Sequence, residues 1–576
     1  SREAMLAREV GVIRKSHGGR LRVALAFPNT YFVGMSNLGL QTVYQLFNDD
    51  ARVVCERVFL PAKQDLAERL ARREPLITLE SQTPVRQFDI FAFSVSFEWD
   101  YTNVLTMLRL AGLQPRAARR DRRDPLIVIG GAITFVNPEP LAPFADVVAA
   151  GEAEHLVPGL VDAWHESANR DELLERLAAG RGFYVPSFYD VTYDGPGRVA
   201  AITPRAGTSA PPIVRKAAVK ATERLDPPST RIFTPDTEFG SRLLIEVVRG
   251  CANLCRFCWA GYNYLPVRPF STSRILEIAE AARPHAIRVG LVSIALCDHP
   301  DIELILRRLV EMGYGISPAS LRLDDLTETI VSLLQQSGER SITIAPETGS
   351  DRLRRVINKT VTNDEILDRS ELIFRAGIEN LKLYYMIGLP SETDEDLQAI
   401  RELTVQVRDR MLAPARERGS VGRIVASVNP LIPKPGTTYQ WLPMTPAAVI
   451  DAKIERLRGL VADLDNVYFN IKSERHAYYE GLLSLGDRRV ADVIERAEQN
   501  GGNWRAAVAD AGLDADAYLY RERTADPFLP WQIIDGGAKT AFFRQELEKS
   551  ARAEWTLPPK REKANERLVG ALDSSE

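Results

Sequence analysis

Cysteine is scarce in this sequence: five among 576 residues, a low and odd count that argues against a disulfide framework. Long apolar runs are missing too. No stretch approaches the ~18 residues that a membrane-spanning helix needs. The opening SREAMLAREVGVIRKSHGG is charged throughout and lacks the apolar core of a secretory signal. These absences lead to the expectation of a cytoplasmic protein with no membrane partner. A bias to one charge is absent as well: 73 Lys and Arg against 77 Asp and Glu leave a net charge of −4, so the whole molecule is no electrostatic magnet for nucleic acid or anionic lipid. Phosphate contact is left to local runs such as Arg116 to Arg123, whose commoner meaning is a solvated turn.

What is present is a globular composition, 45% hydrophobic and 26% charged, in a chain long enough for two to four domains and for large buried cofactors. The fold class expected is α/β. In residues 1–165, LRVALAF, DIFAFSVSF, PLIVIGG and ADVVAAG stay apolar through their length, as parallel strands buried on both faces do, and helical patterns lie between them. This predicts a doubly wound, Rossmann-like domain that binds ligands beyond the carboxyl ends of its strands. Residues 166–235, rich in Pro and Gly, read as a bridging segment with some strand character. Over 236–445, six strand-like runs starting near Leu243, Ile287, Tyr314, Ser341, Leu381 and Arg423 alternate with helices that end at Gly, predicting a partial (β/α)6 barrel with its functional groups at the strand C-termini. Residues 446–576 read as a C-terminal helical region whose charged tail after Leu557 is expected to fray.

Three of the five cysteines fall in EVVRGCANLCRFCWAGYNYLPVR, spaced C-x3-C-x2-C at Cys251, Cys255 and Cys258, directly after the first barrel strand. Thiolates are the usual ligands of iron–sulfur clusters, and a cubane normally takes four. Three leave one iron open to chelate the amino and carboxylate groups of a methionine moiety and to pass an electron to a sulfonium. Phe257 is placed to shield such a cluster. The alternative is a zinc site, which needs a fourth Cys or His; His285, Cys297 and His299 are the nearest in sequence, all beyond a predicted helix.

With this motif in place, the segment from about Asp236 to Met444 resembles the radical S-adenosylmethionine (SAM) superfamily. The resemblance implies a [4Fe–4S] cluster on Cys251, Cys255 and Cys258, reductive cleavage of SAM to a 5'-deoxyadenosyl radical, and an external electron donor of the flavodoxin or ferredoxin type. It also implies SAM contacts at Gly290 and Ser293 by the second strand, Ser320 and Arg322 after the third, Glu347 at the end of the fourth, and Gly388 and Pro390 in the turn of MIGLPSET.

The N-terminal domain resembles the cobalamin-binding domain found upstream in many radical SAM enzymes, on SFEWDYTNVL, GGAITFVNPEP and DVVAAGEAEH. Small residues Gly130, Gly131 and Ala132 allow a flat macrocycle close to the backbone. Glu98, Thr134, Asn137 and Glu152 are candidates for contacts to the corrin. The Asp-x-His-x-x-Gly motif that ligates cobalt from below in domains of the methionine-synthase kind is absent, which leaves the lower face open or capped by a non-ligating side chain.

Three functions follow as expectations. The first is methyl transfer to an unactivated centre of a small molecule, or of RNA or protein. The second uses cobalamin for rearrangement or redox chemistry without methyl transfer. The third is a metal-stabilised RNA- or ribosome-binding protein. In the C-terminal region His476, Asp487, Arg488 and Arg489 are candidates for facing substrate, although a His on an amphipathic helix more often packs or lies at the surface.

Overall fold

A computed structural model describes residues 2–319 and 321–557; Ser320 and the charged tail after Leu557 lie outside the described residues. The N-terminal sheet comprises β1 (Leu21–Phe27), β2 (Val53–Phe59), β3 (Ile90–Ser94), β4 (Leu126–Gly130), β5 (Val147–Ala149) and β6 (Phe183–Tyr184), in the order β2-β1-β3-β4-β5-β6. The strands are parallel except β6, which runs against β5. Strand order reverses between β1 and β3, and in doubly wound sheets that switch point opens a ligand crevice outside the strand C-termini.

β2 escapes a reading based on apolar continuity because its centre carries Glu56 and Arg57, both buried. Neighbours neutralise them. Arg57 pairs with Glu9 at 2.7 Å and Glu80 at 2.6 Å, and Glu56 accepts from His17, Thr78 and Ser81.

The second parallel system has β7 (Arg242–Glu246), β8 (Arg288–Val292) and β9 (Gly315–Pro318) in one sheet. The other sheet holds β10 (Ser341–Glu347), β11 (Asn380–Ile387), β12 (Ile424–Pro430) and β13 (Val467–Ile471). The six expected strands are present, and β13 extends the parallel sheet past residue 445. Its alternating, half-exposed VYFNI pattern is that of an edge strand, which conceals it among helices.

The segment expected to bridge the two halves is woven into both. It forms a hairpin between Tyr189–Tyr193 and Val199–Pro204, its Val214 pairs with Ile534 near the C-terminus, and its Ala217 bridges Gly151. Part of the basic run is taken up within the protein: Arg116 pairs with Glu495 at 2.7 Å and the buried side chain of Arg120 with Asp146 at 3.3 Å. Arg122 pairs with Asp171 at the surface at 3.0 Å, and Arg123 is exposed. Among the described residues, no helix is long and apolar enough to cross a membrane.

The C-terminal helices pack on both halves, and the last, Thr540–Ala551, reaches the cysteine loop. Arg256, fully buried between two of the cysteines, pairs with Glu546 at 3.0 Å and donates to the carbonyls of Arg355, Val356 and Glu554. Removing one partner of a buried pair strands the other charge, at a cost of ~3–5 kcal/mol. Glu546→Ala is therefore expected to lower the thermal unfolding transition by destabilisation of that order. An unchanged melting curve by calorimetry contradicts the anchoring role.

Candidate active site

The cysteine loop leaves β7 as a lasso closed by the antiparallel pairing of Val248–Arg249 with Arg268–Pro269. Gly250 turns the chain at φ +93°; a side chain there would press on the carbonyls of Tyr264 and Pro266. Polar bonds then fix the loop: Ala252 N donates to Asp298 Oδ2 at 3.1 Å, while the Leu254 carbonyl accepts from Tyr262 and Asn358. The Gly261 amide points at Cys258 Sγ, 3.4 Å away. Burial pushes all three thiols up, to about 12 at Cys251 and Cys255 and about 11 at Cys258, so thiolates here require a cationic partner.

The donor set fits an iron–sulfur cubane better than zinc. Among the described residues, no three Cys, His, Asp or Glu side chains converge as ligands of one ion do, whereas a cubane takes each sulfur at a separate corner. His299 is committed elsewhere, with Nε2 on the Phe270 carbonyl at 2.9 Å and Nδ1 accepting from Asp301 N at 3.1 Å. His285 stacks on Phe233, and Cys297 is buried.

Charged side chains gather at the cysteines. Glu347, at the end of β10, adopts φ +65°, a strained conformation for a residue with a side chain. It accepts from Lys359 Nζ at 3.1 Å. Burial pushes the Lys359 ammonium towards neutrality, but Glu347 and the sulfurs of Cys255 and Cys258 outweigh it and the pKa rises. Arg322 pairs with Asp298 at 3.0 Å and with Asp324 and Asp325, and its charge acts on Cys251 and Cys255. Lys359 and Asp298 were not legible as site residues, since no motif marks them and only tertiary folding brings them to the loop.

A cavity of about 480 Å³ lies between the C-terminal ends of the N-terminal sheet and the start of the barrel. Its floor is built from Ala92, Gly130, Gly131, Ala132, Ala149 and Gly151, and it deepens into an apolar slot against Phe47, Leu156 and Leu160. Gly131 and Gly151 are required here: their φ values are +107° and +127°, and a Cβ would meet the Val95 and Ala217 carbonyl oxygens at 2.2 and 2.1 Å. Thr134 does not line the space but locks the Gly131 turn, its hydroxyl donating to the Gly131 carbonyl at 2.7 Å.

The opposite wall is the root of the cysteine loop: Glu246, Val248, Arg249, Gly250 and Tyr264, with Ser293 beyond β8. Aromatic rings continue that wall. Phe135 meets Tyr264 edge-on at 5.6 Å and Trp259, next to Cys258, at 6.3 Å. Lys216 lies over the Phe135 ring and bonds the Asn263 carbonyl; burial pushes it down to about 8.

The remaining sequence candidates separate into groups. Glu152 lines the cavity, but its carboxylate is taken up by Arg268 at 2.7 Å, Arg249 at 3.1 Å and Val219 N. Glu98 and Asn137 lie away from the cavity wall. Glu98 binds Lys434 and Ser484, and Asn137 donates to the Ser484 and Gly486 carbonyls, both at 2.8 Å. Gly290 sits mid-strand, where its missing side chain admits Leu244. Gly388, at φ +75°, turns tightly against Ile450 and Thr445, and the Leu389 between it and Pro390 packs in a small core that reaches Phe257. Asp487, Arg488 and Arg489 are structural: Arg488 joins Glu139 and Tyr184, and Asp487 holds Arg489 and Tyr518.

Known proteins bear on this geometry. Residues 39–186 match the family model "Radical SAM proteins, N-terminal", and residues 245–404 match that of the radical SAM superfamily. An uncharacterized protein of Methanocaldococcus jannaschii is 27% identical over 427 residues, 73% of this chain and 79% of that protein. An uncharacterized methyltransferase of Pyrococcus horikoshii is 24% identical over 49% of this chain and 58% of its own. Among solved structures, the radical SAM methyltransferase TsrM of Kitasatospora setae, with cobalamin and a [4Fe–4S] cluster bound, superimposes with TM-score 0.52 at 13% identity, over 84% of this chain and 100% of that one. Its likeness is one of fold. The two family models between them span just over half the sequence, one on each side of the shared wall, and this chain belongs to the radical SAM superfamily.

Proposed function

We propose that the protein is a cobalamin-dependent radical SAM enzyme that transfers a methyl group to a poorly activated centre. The observation that carries this reading is the shared wall: Glu246, Val248, Arg249 and Gly250 border the 480 Å³ cavity, and Cys251 is the next residue. A corrinoid in that cavity and a cluster on the cysteines would be neighbours, as two cofactors serving one substrate must be. The cobalamin and [4Fe–4S] cluster carried by the Kitasatospora methyltransferase, and the methyltransferase name of the Pyrococcus relative, support the same reading.

When bound, the cluster supplies the electron that splits a sulfonium C–S bond, and the corrinoid supplies a methyl carrier. The chain supplies orientation and dryness. Cys251, Cys255 and Cys258 hold the cluster. Lys359, Glu347 and Arg322, grouped at the cysteines, would be the charged partners for the zwitterionic end of SAM, and Ser293, Gly388 and Pro390 would complete its site. Gly130, Gly131 and Ala132 floor the corrinoid, and the slot towards Phe47 takes its planar nucleotide end. Phe135, Trp259 and Tyr264 keep water from the space between. The electron comes from a donor of the flavodoxin or ferredoxin type, and the substrate is a small molecule or a residue of RNA or protein.

Three outcomes are expected. Replacing any one of the three cysteines by Ala removes the roughly four irons of the anoxically reconstituted protein and abolishes 5'-deoxyadenosine release; a variant that retains both contradicts the ligand assignment. At Gly130 an added Cβ meets nothing closer than 3.7 Å, so Gly130→Leu fits the fold yet fills the cavity. It is expected to weaken corrinoid binding at least ~10-fold, for a side chain displacing ligand contacts worth about 1.4 kcal/mol or more, while iron content stays unchanged. With SAM labelled in its methyl group, product mass reports the reaction: label in product supports methyl transfer, and turnover without it assigns cobalamin to rearrangement or redox chemistry.

A further inference from the structure

Away from the cavity and the cysteines, a second concave site of about 400 Å³ is lined by Trp99, Arg475, His476, Tyr479, Trp504 and Arg505. It forms where three parts of the chain meet: the loop after β3, the helix Glu474–Leu485 that follows β13, and the short helix Trp504–Asp510. Its rings are clustered and half-buried. Trp99 lies 4.6 Å from His476 and edge-on to Trp504 at 5.7 Å, and Tyr479 inclines at 31° to Trp504 at 6.1 Å.

Two features set this cluster apart from ordinary packing. Trp99 lines the space with its ring, and its Nε1 is buried without a hydrogen-bond partner among the described residues, so the packing here is less complete than in a finished core. Arg475 and Arg505 both act on the Tyr479 hydroxyl, yet neither guanidinium has a hydrogen-bond or ion-pair partner among the described residues. Among the described residues, unpaired arginines stand elsewhere on the surface, as at Arg119 and Arg307; here two of them border one concavity with clustered aromatic rings. Lys472 adds a further positive charge within reach of His476. The nearby Glu480 lies between Lys434, at 3.2 Å from one oxygen, and His476 Nδ1, at 3.4 Å from the other.

Aromatic faces beside unpaired arginines match one ligand chemistry: a planar base with a phosphate attached. Bases stack on Trp and Tyr for ~1–3 kcal/mol each, and guanidinium forks take phosphate oxygens in pairs. The volume lies within the range of small-ligand pockets. We propose that this site binds a nucleoside phosphate, the base against Trp504 and Tyr479 and the phosphate between Arg475 and Arg505. The ligand is either a free nucleotide or a nucleotide of a single-stranded RNA. The assignment is independent of the radical chemistry, since none of these residues lines the other cavity or touches the cysteines.

Calorimetric titration of the full-length reconstituted protein, with SAM in excess to fill any adenine site in the barrel, tests it. AMP is expected to bind saturably, and adenosine or inorganic phosphate alone more weakly. Trp504→Ala is expected to weaken AMP ~10-fold, the loss of one base stack, and Trp504→Phe to restore most of it. The double change Arg475→Gln/Arg505→Gln, on exposed side chains that carry no fold contacts, should weaken AMP while leaving adenosine unchanged. A single-stranded RNA decamer binding at least tenfold tighter than AMP, with the same sensitivity to the variants, identifies RNA as the source; equal affinities identify the free nucleotide. Absence of saturable binding by both probes, or wild-type affinity in Trp504→Ala and in the double arginine variant, overturns the proposal.

Discussion

A buried network of charges at the junction of the two sheets governs the arrangement. Arg249, two residues before Cys251, pairs with Glu152 at 3.1 Å, Glu154 at 2.8 Å and Glu246 at 2.7 Å, and Arg268 closes on Glu152 at 2.7 Å. Glu152 and Glu154 belong to the N-terminal domain, just past β5; the arginines belong to the lasso that carries the cysteines. Charges this well buried lose hydration on folding, and the set is tolerable only when every partner is in place. The network therefore fixes register more than it adds stability. It permits one seating of the cysteine loop against the cavity.

From that seating the rest follows. Once Arg249 is held, Gly250 must turn and the cysteines must face the barrel mouth, while Glu246, Val248, Arg249 and Gly250 become a wall of the cavity. The loop is held again from behind by Arg256 and Glu546, so the C-terminal helix secures the cysteines from the side opposite the N-terminal domain. A third tie, Lys434 with Glu98 and Glu480, joins the loop after β12 to both neighbours. Burial pushes Glu98 up, and the ammonium more than offsets it, holding the carboxylate below its usual range. Three buried cation–carboxylate clusters thus tie the N-terminal sheet, the second parallel system and the C-terminal helices to one another.

Much of this was legible in the sequence, and what was not has physical causes. Apolar continuity revealed β1, β3, β4 and β5, and the C-x3-C-x2-C spacing after a strand identified the loop. β2 was concealed by Glu56 and Arg57, whose burial depends on partners far along the chain, and β13 by the polar alternation of an edge strand. Small residues Gly130, Gly131 and Ala132 do line the cavity, because their signal is steric and local. Polar candidates fared differently: Glu98, Asn137 and Glu152 are engaged by protein partners that a linear reading cannot supply. Lys359 and Asp298 were invisible for the converse reason, since their place beside the cysteines is created only by folding.

The proposed function requires that one wall separate an iron–sulfur cluster from a corrinoid. Anomalous diffraction at the iron and cobalt edges, on anoxic crystals of the protein reconstituted with cluster and cobalamin, measures it directly. The account predicts an iron peak bounded by Cys251, Cys255 and Cys258, and a cobalt peak over Gly130 and Gly131 on the far side of Arg249 and Gly250. A cobalt peak elsewhere, or a single non-iron metal at the cysteines, contradicts it.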